Sequence, residues 1–311
     1  MDLKQLAYFV QVADFGSFTR ASVQLGVAQP ALSRQVRQLE IELRQPLFER
    51  NGRGVTLTVA GKRLLEHARG ILAQAERAKT DLDEHRDAAA GPLAIGLPPS
   101  VGRALTGDLV LAFRQQFPKA TLSIVEGLSS NLLEWLAVGR LDCAVAYNVA
   151  ASAEFERVAV LDEPLYLVSR AGEREQARIP VHGVGWTELA AVELVMPRRP
   201  NALRILIENA LAAQGLRAHV GMEIDSVPAI LDLLARSALH GVLSRNAVRS
   251  SGRAQDYHLQ RIGAPPLTAP LSIVTSARRP AGPLVERAAA LLREMLLAQR
   301  DDAPDRVSRQ R

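Results

Sequence analysis

At Gly91-Pro92 the hydrophobic pattern of this chain changes period, and no single fold type accommodates both sides of the change. Upstream, apolar residues recur every three or four positions, the spacing of helices that bury one face. Downstream, short apolar runs such as LAIGL, TLSIVEG and CAVAY alternate with helical segments, the pattern of parallel βαβ units. A chain of 311 residues is also too long for one small domain. The sequence therefore predicts an all-helical front joined to an α/β back.

The front contains its own punctuation. Leu3, Leu6, Phe9, Val10 and Ala13 predict a helix ending near Gly16. Ser17 suits the N-cap of a second helix carrying Ala21 and Leu25, with Gly26 as its stop. After the short turn Val27-Ala28 comes QPALSRQVRQLE, where Leu32, Val36, Leu39 and Leu43 share one face. Pro30, Ser33, Arg34 and Arg37 fall roughly opposite. Alone, this is either a surface helix with a solvated face or a helix that packs on its leucines and offers Gln29, Ser33 and Arg34 to a DNA groove. Its neighbours favour the second: two short helices joined by a tight turn form a helix-turn-helix. The next segment, PLFERNGRGVTLT, carries the hairpin signal Asn51-Gly52 between Arg50 and Arg53, a basic wing.

Thr58 can cap the following helix, in which Leu65, Ala68, Leu72, Ala75 and Leu82 keep a narrow seam, widened by Ile71 and Ala78. Lys79 occupies one seam position. About 28 helical residues would span roughly 42 Å. Such a seam pairs with a second copy of the chain, the preferred reading, or packs on the next domain of its own chain. Beyond Gly91, helices are predicted over residues 100–117, 130–139, 201–214, after Ser226, and over 283–298. Strands are predicted in ELVMP, HVGMEI, GVLS and LSIVT. Residues 300–311 lack periodicity and are expected to be disordered.

Composition removes several functions. The net charge of +5 suits a polyanionic partner without demanding one. A single cysteine, Cys143 in an apolar run, excludes an intrachain disulfide and a multi-cysteine metal site. Six histidines show no metal spacing, and no GxSxG turn supports a nucleophilic serine. The expectation is no catalytic residue, no metal and no cofactor. The start MDLKQLAYFVQVA lacks the pattern of a secretory signal, and no uncharged run approaches a membrane span, so a cytoplasmic protein is expected. A transport-binding protein would account for the α/β half but not for the winged half.

FVQVADFGSFTRAS, QPALSRQVRQLE and PLFERNGRGVTLTVAGKRLL resemble the winged helix-turn-helix of LysR-type transcriptional regulators. GRLDCAVAY and EIDSVPAILDLLA resemble segments of that family's effector domain, and the resemblance runs to about Gln299. It implies a winged helix-turn-helix over 1–58, a linker and dimerisation helix over 59–90, and a two-lobed α/β effector domain over 91–299, like periplasmic binding proteins. Lobe I would take 91–161 and 269–299, and lobe II 162–268, joined by two crossing strands. By the resemblance Gln29, Pro30, Ser33 and Arg34 contact bases, while Ser17, Thr19, Arg50 and Arg53 contact the backbone or sit on the wing. The chemistry agrees: Arg34 can donate bidentately to guanine, Gln29 to adenine, and Pro30 can touch a thymine methyl. Leu65, Leu72 and Leu82 would form the dimer seam. The implied partners are promoter DNA, further copies of the chain in a tetramer, a small effector and RNA polymerase.

Three positions depart from the family pattern. Ala28 stands where Ser or Thr is frequent, which removes one cap or phosphate contact worth about 1 kcal/mol. Arg44 replaces a common glycine, a strained substitution if the backbone is left-handed there. SALHGVLS lacks a usual glycine near Ser237 and ends on Ser244 in place of proline, which bears on the shape of the effector cleft. In two-lobed α/β domains ligands sit where strand ends and helix starts face the cleft. That selects Ser100 and Ser129-Ser130 on one side and the segment PRRPNALR, with Arg198, Arg199, Asn201 and Arg204, on the other. By family position Ser100, Ser129 and Arg199 or Asn201 are effector contacts, and a small anion, such as a carboxylate, is the expected ligand class. The alternatives are serines that only cap and arginines that face water. EIDSVPAILDLLA also resembles nitrogen-assimilation regulators, some of which need no inducer, so an effector-free regulator of the same architecture stays open.

Overall fold

A computed structural model describes residues 1–50, 52, 54–81, 90–172, 183–279 and 281–299. The expectations for Arg53, Leu82 and the tail 300–311 lie outside the described residues, as does the side chain of Arg50. Two compact units result: Met1–Asp87 with Glu134–Asp142, and Ala88–Leu133 with Cys143–Arg311.

In the first unit, helix α1 spans Leu3–Phe15, α2 Phe18–Leu25 and α3 Gln29–Leu43. Asp2 opens α1 with a reciprocal cap: its carboxylate accepts from the Gln5 amide at 2.7 Å, and the Gln5 side chain accepts from the Asp2 amide at 2.9 Å. Gly16 and Gly26 end α1 and α2 in left-handed backbone, and Ser17 caps α2, as the sequence predicts. Ala28 caps α3 without a side-chain bond, so the missing hydroxyl is a real loss. Strands β1 (Phe48–Arg50) and β2 (Val55–Leu57) pair antiparallel as the wing. The wing docks on the α1 end: the Val55 amide donates to the Gly16 carbonyl at 3.0 Å, and a Cβ at Gly54 would meet that oxygen at 2.5 Å.

Two small cores hold these helices. Leu6, Phe9, Leu39, Leu47 and Ala68 form one, and Tyr8, Val12, Ala21, Leu32 and Val36 the other. Phe48 joins them, its ring 5.4 Å from Phe9 and 5.7 Å from Phe18. Each buried leucine, valine or phenylalanine side chain there contributes roughly 1.5–3 kcal/mol. Helix α4 spans Val59–Asp81, and Thr58 caps it by accepting from the Gly61 amide at 2.9 Å. Leu65 and Leu72 are half-buried against the core around Phe9. Glu66 pairs with Arg140, and Gly70 sits so near the Val138 carbonyl that a Cβ would come within 2.1 Å of it. Both readings of the seam therefore keep a physical basis: part of α4 packs on its own chain, while Ile71 faces solvent.

The second unit is built on nine strands in the order β4-β3-β5-β11-β6-β9-β7-β8, with β10 also on β6. Their ranges are β3 Gly91–Leu97, β4 Ala120–Glu126, β5 Cys143–Tyr147, β6 Phe155–Arg170, β7 Leu194–Met196, β8 Val220–Glu223, β9 His240–Ser244, β10 Tyr257–Arg261 and β11 Thr268–Ser276. Helices α5 (Pro99–Gln116), α6 (Ser129–Ala137), α7 (Trp186–Ala191), α8 (Ala202–Ala212), α9 (Val227–Leu234), α10 (Arg245–Arg249) and α11 (Pro283–Ala298) connect or cover them. Strand β6 pairs with β11 up to Pro164, then with β9 from Leu165. Its alternating side chains serve two cores, Leu165 and Leu167 in one, Tyr166 and Val168 in the other. The pattern reading does not anticipate β6, α7, α10 or β10. FERVAVLDEPLYLVSR mixes charges and a proline into an apolar run, and α7 and α10 are too short to show a period.

Arg44 ends α3 at φ 53°, so the strain expected of a non-glycine residue there is present. The side chain is exposed, and a left-handed non-glycine residue costs about 1–2 kcal/mol, offset in part by the flexibility that glycine adds to the unfolded chain. Arg44→Gly is expected to stabilise the winged unit by about 0.5–1 kcal/mol. Urea unfolding followed by helical circular dichroism checks this, and a lower midpoint for the variant would contradict it.

Candidate functional site

Helix α3 separates its two faces cleanly. Leu32, Val36 and Leu39 are at most 1% exposed, and they fix the rotation of the helix about its axis. That rotation leaves Gln29, Pro30, Ala31 and Arg34 exposed in the first two turns, with Ser33 at the margin. Pro30 lies in the first turn, where its missing amide hydrogen removes no helical bond. Thr19 is exposed on α2, and Ser17 accepts from the Arg20 amide at 3.4 Å. The Arg20 guanidinium donates to the Phe15 carbonyl and so closes the α1–α2 corner. A wedge of one proline, one amide and one guanidinium on a rigid helix start can reach base edges, while the flanking hydroxyls suit phosphates.

The second unit contains a cleft lined by Ser100, Ser129, Tyr147, Asn201 and Ser244 among apolar side chains that include Leu128, Ile207, Ile230 and Val242. Ser100 lies in the first turn of α5 but is not its cap, which is Pro98 with no side-chain bond. Its hydroxyl lies 3.3 Å from the Tyr147 hydroxyl. Ser129 begins α6, is 6% exposed, and accepts from the Tyr147 amide at 3.0 Å. The two serines predicted from sequence thus converge on Tyr147, at the end of β5. Asn201 caps α8, its side-chain oxygen accepting from the Leu203 and Arg204 amides at 3.0 and 3.2 Å.

The arginines do not behave as expected. Arg199 is absent from the cleft wall; its side chain is 67% exposed and pairs with Glu208 at 2.6 Å. Arg198 pairs with Asp225 at 2.7 Å. Arg204 does line the cleft, but it donates to Glu208 at 2.9 Å and to the Pro197 carbonyl at 3.0 Å, and it pairs with Glu223 at 2.5 Å. Three acidic residues therefore neutralise the three cations, and PRRPNALR is not an open anion cradle. The sequence reading missed this because Glu208, Glu223 and Asp225 lie on other turns and strands. It also missed Glu163, whose place inside β6 cannot be read from DEPLY.

Glu163 is 7% exposed and accepts from the Tyr147 hydroxyl at 2.5 Å and from Asn246 at 3.2 Å. Burial pushes its pKa up, against hydrogen bonds from Tyr147, Ser244 and Asn246 that favour the ionised form. Tyr147 is held well above its ordinary value, first by burial and then by the Glu163 charge and hydrogen bond. Among the described residues no group of three or more His, Cys, Asp or Glu could hold a metal, and no helix is long and apolar enough to cross a membrane.

A raised Glu163 pKa means that the folded chain binds this proton more tightly than the unfolded chain. The resulting stability is complete below the ordinary value of 4.5 and is lost as pH rises through the raised value. Glu163→Gln removes that loss. The variant's stability relative to wild type is expected to improve as pH rises from 4.5 and to level off once pH passes the raised value, in urea unfolding at a series of pH values. A difference independent of pH would contradict the assignment.

Residues 3–62 match the family model described as bacterial regulatory helix-turn-helix protein, lysR family, and residues 86–297 match the LysR substrate binding domain. The nitrogen assimilation regulatory protein nac of Klebsiella aerogenes is 36% identical over 299 residues, covering 96% of this chain and 95% of that protein. A full-length OxyR variant from Pseudomonas aeruginosa superposes with a TM-score of 0.69 at 25% identity, covering 95% of this chain and 94% of that one. Full-length CbnR in complex with its target DNA also gives 0.69 at 25% identity, covering 95% and 100%.

Proposed function

The chain belongs to the LysR family of bacterial regulators, and from that premise we infer which of its residues read DNA and which meet an effector. It is a DNA-binding transcriptional regulator with an effector-binding domain, not an enzyme. Gln29, Pro30, Ser33 and Arg34 contact bases, and Ser17, Thr19, Arg50 and Arg53 hold the phosphate backbone. The observation that carries this reading is the division of α3, with three leucine-type contacts sealed and the first-turn polar residues outside. Arg34→Ala is expected to cost about 1–3 kcal/mol on the cognate operator and to relax preference at one base pair. Titrations of operator and random duplexes at fixed salt check it, and equal losses on both would refute a base-reading role.

The cleft between Ser100, Ser129 and Asn201 receives a small effector with a largely apolar body. Arg199 is left out of the contact set, because it is exposed and paired with Glu208. Full-length protein titrated with a metabolite library, read by thermal shift and operator affinity, tests the cleft: Ser129→Ala and Asn201→Ala should remove the response of any hit. A library that changes nothing would favour the effector-free regulator. The lobe division at 91–161 with 269–299 and at 162–268 fits the partner change of β6 at Pro164. The winged domain takes 1–58 and the linker 59–90, a division supported by the start of α4 at Val59.

The chain acts as a dimer through α4, with Leu65, Leu72 and Leu82 in the seam, assembles further to a tetramer on promoter DNA, works in the cytoplasm and engages RNA polymerase. Ile71 is 39% exposed on α4 and tests the seam without disturbing the core. A charge buried there against a second copy costs several kcal/mol. Ile71→Glu is therefore expected to sediment as a smaller species and to lose tight operator binding. An unchanged sedimentation coefficient would remove this face of α4 from the interface.

A further inference from the structure

The hydrogen bonds around Tyr147 set the direction of protons as well as the position of side chains. Behind the cleft wall, Asn246 donates to one oxygen of Glu163 at 3.2 Å, and the Tyr147 hydroxyl approaches the other at 2.5 Å. Ser244 adds a third hydrogen bond to the same carboxyl. Three donors converging on one carboxyl suit its ionised form, which accepts and cannot donate. The single Tyr147 proton is therefore committed to Glu163. The phenolic oxygen can then only accept, and the hydroxyl beside it, at 3.3 Å, is that of Ser100. The Ser100 proton is drawn toward Tyr147, and what Ser100 turns to the cleft is a lone pair.

Two other polar groups in the cleft are ordered the opposite way. Ser129 accepts the Tyr147 amide, so its own hydroxyl proton is free to project. The Asn201 oxygen is occupied by two amides, which leaves the Nδ2 hydrogens. The cleft thus presents an acceptor at Ser100 and donors at Ser129 and Asn201, on an apolar background.

We propose that the effector carries a hydrogen-bond donor, a hydroxyl, amide N–H or ammonium group, on the edge that meets Ser100, because Glu163 acting through Tyr147 holds that serine as an acceptor. This rests on the reading of the cleft as the effector site. An ether or carboxylate oxygen at that position would face lone pairs, and a buried polar atom without a partner loses the whole value of its hydrogen bond. The opposite edge of the same ligand is an acceptor, a carbonyl or carboxylate, matched to Ser129 and Asn201. Glu163 is a positioning residue: it does not line the cleft, and its effect on the ligand passes through two hydroxyls.

Phenol and anisole test the proposal on the full-length protein at neutral pH, since they share a ring and differ in O–H against O–CH₃. Wild type is expected to bind phenol about five- to tenfold more tightly in chemical-shift titrations, the value of one hydrogen bond. Ser100→Ala should erase the preference. Tyr147→Phe should narrow it, because Ser100 regains a rotating proton; a merely structural tyrosine would lower both affinities together and keep their ratio. Neutron diffraction of crystals of the full chain reads the same order without a ligand, with the Ser100 deuteron expected on the line to Tyr147. A deuteron pointing into the cleft overturns the proposal, as does equal binding of the two probes, which would leave the cleft itself a binding site. Binding of neither probe would remove the cleft reading, and this inference with it.

Discussion

Pro164 has no amide hydrogen, and β6 changes partner at that residue. A proline inside a strand cannot donate to a neighbour, so an unbroken ladder through it would lose a bond. Here the ladder with β11 ends opposite Pro164, and the ladder with β9 begins at Leu165. One strand thereby belongs to two groups of strands, and the cleft is lined by elements attached to both groups. Glu163, the residue just before the crossing, is carried into the interior by the same geometry. Glu163 is 7% exposed, and hydrogen bonds from Tyr147, Ser244 and Asn246 keep that burial tolerable.

The amino-terminal unit was the more legible because its signals are local. Gly16, Ser17 and Gly26 act within one turn of themselves, and the leucine stripe of α3 needs no partner to be seen. Even the two departures are local: Ala28 leaves α3 without a side-chain cap, and Arg44 holds a left-handed backbone at φ 53°. The effector unit was legible in its βαβ stretches and in α11, whose bounds match the expected 283–298. Strand β6 was not, because half its length faces different partners from the other half, and its pattern averages two environments.

The argument about strand ends and helix starts picks out Ser100, Ser129 and Asn201, and all three line one cleft. The arginines failed the same argument for a physical reason. Charge is long-ranged in sequence terms: whether Arg204 is an open cation depends on Glu223, nineteen positions away, and on Glu208 one helical turn along. With side chains this near, a guanidinium held by two carboxylates has its donors occupied in a fixed fork. A sequence shows that the cations exist but not that they are already matched. Ser244 carries the opposite lesson. Read as an oddity where proline is usual, it caps α10 through the Ala247 amide and contributes to the hold on Glu163.

A ligand can shift a conformational equilibrium only by the difference in its affinity for the two states. The cleft offers that difference in a specific form. Ser100 stands on the helix after β3 and Asn201 on the helix after β7, so strands on opposite sides of β6 supply its two ends. A ligand with a donor at one edge and an acceptor at the other is satisfied only when both ends are at the right separation. Any other separation leaves one buried polar group unpaired, and that penalty is larger than the mean value of the bond itself. The order of protons from Glu163 through Tyr147 to Ser100 therefore bears on more than selectivity. By removing the freedom of Ser100 to accept or donate as needed, it sharpens the dependence of ligand affinity on the geometry of the crossing strand, and a regulator requires such a dependence from its effector domain.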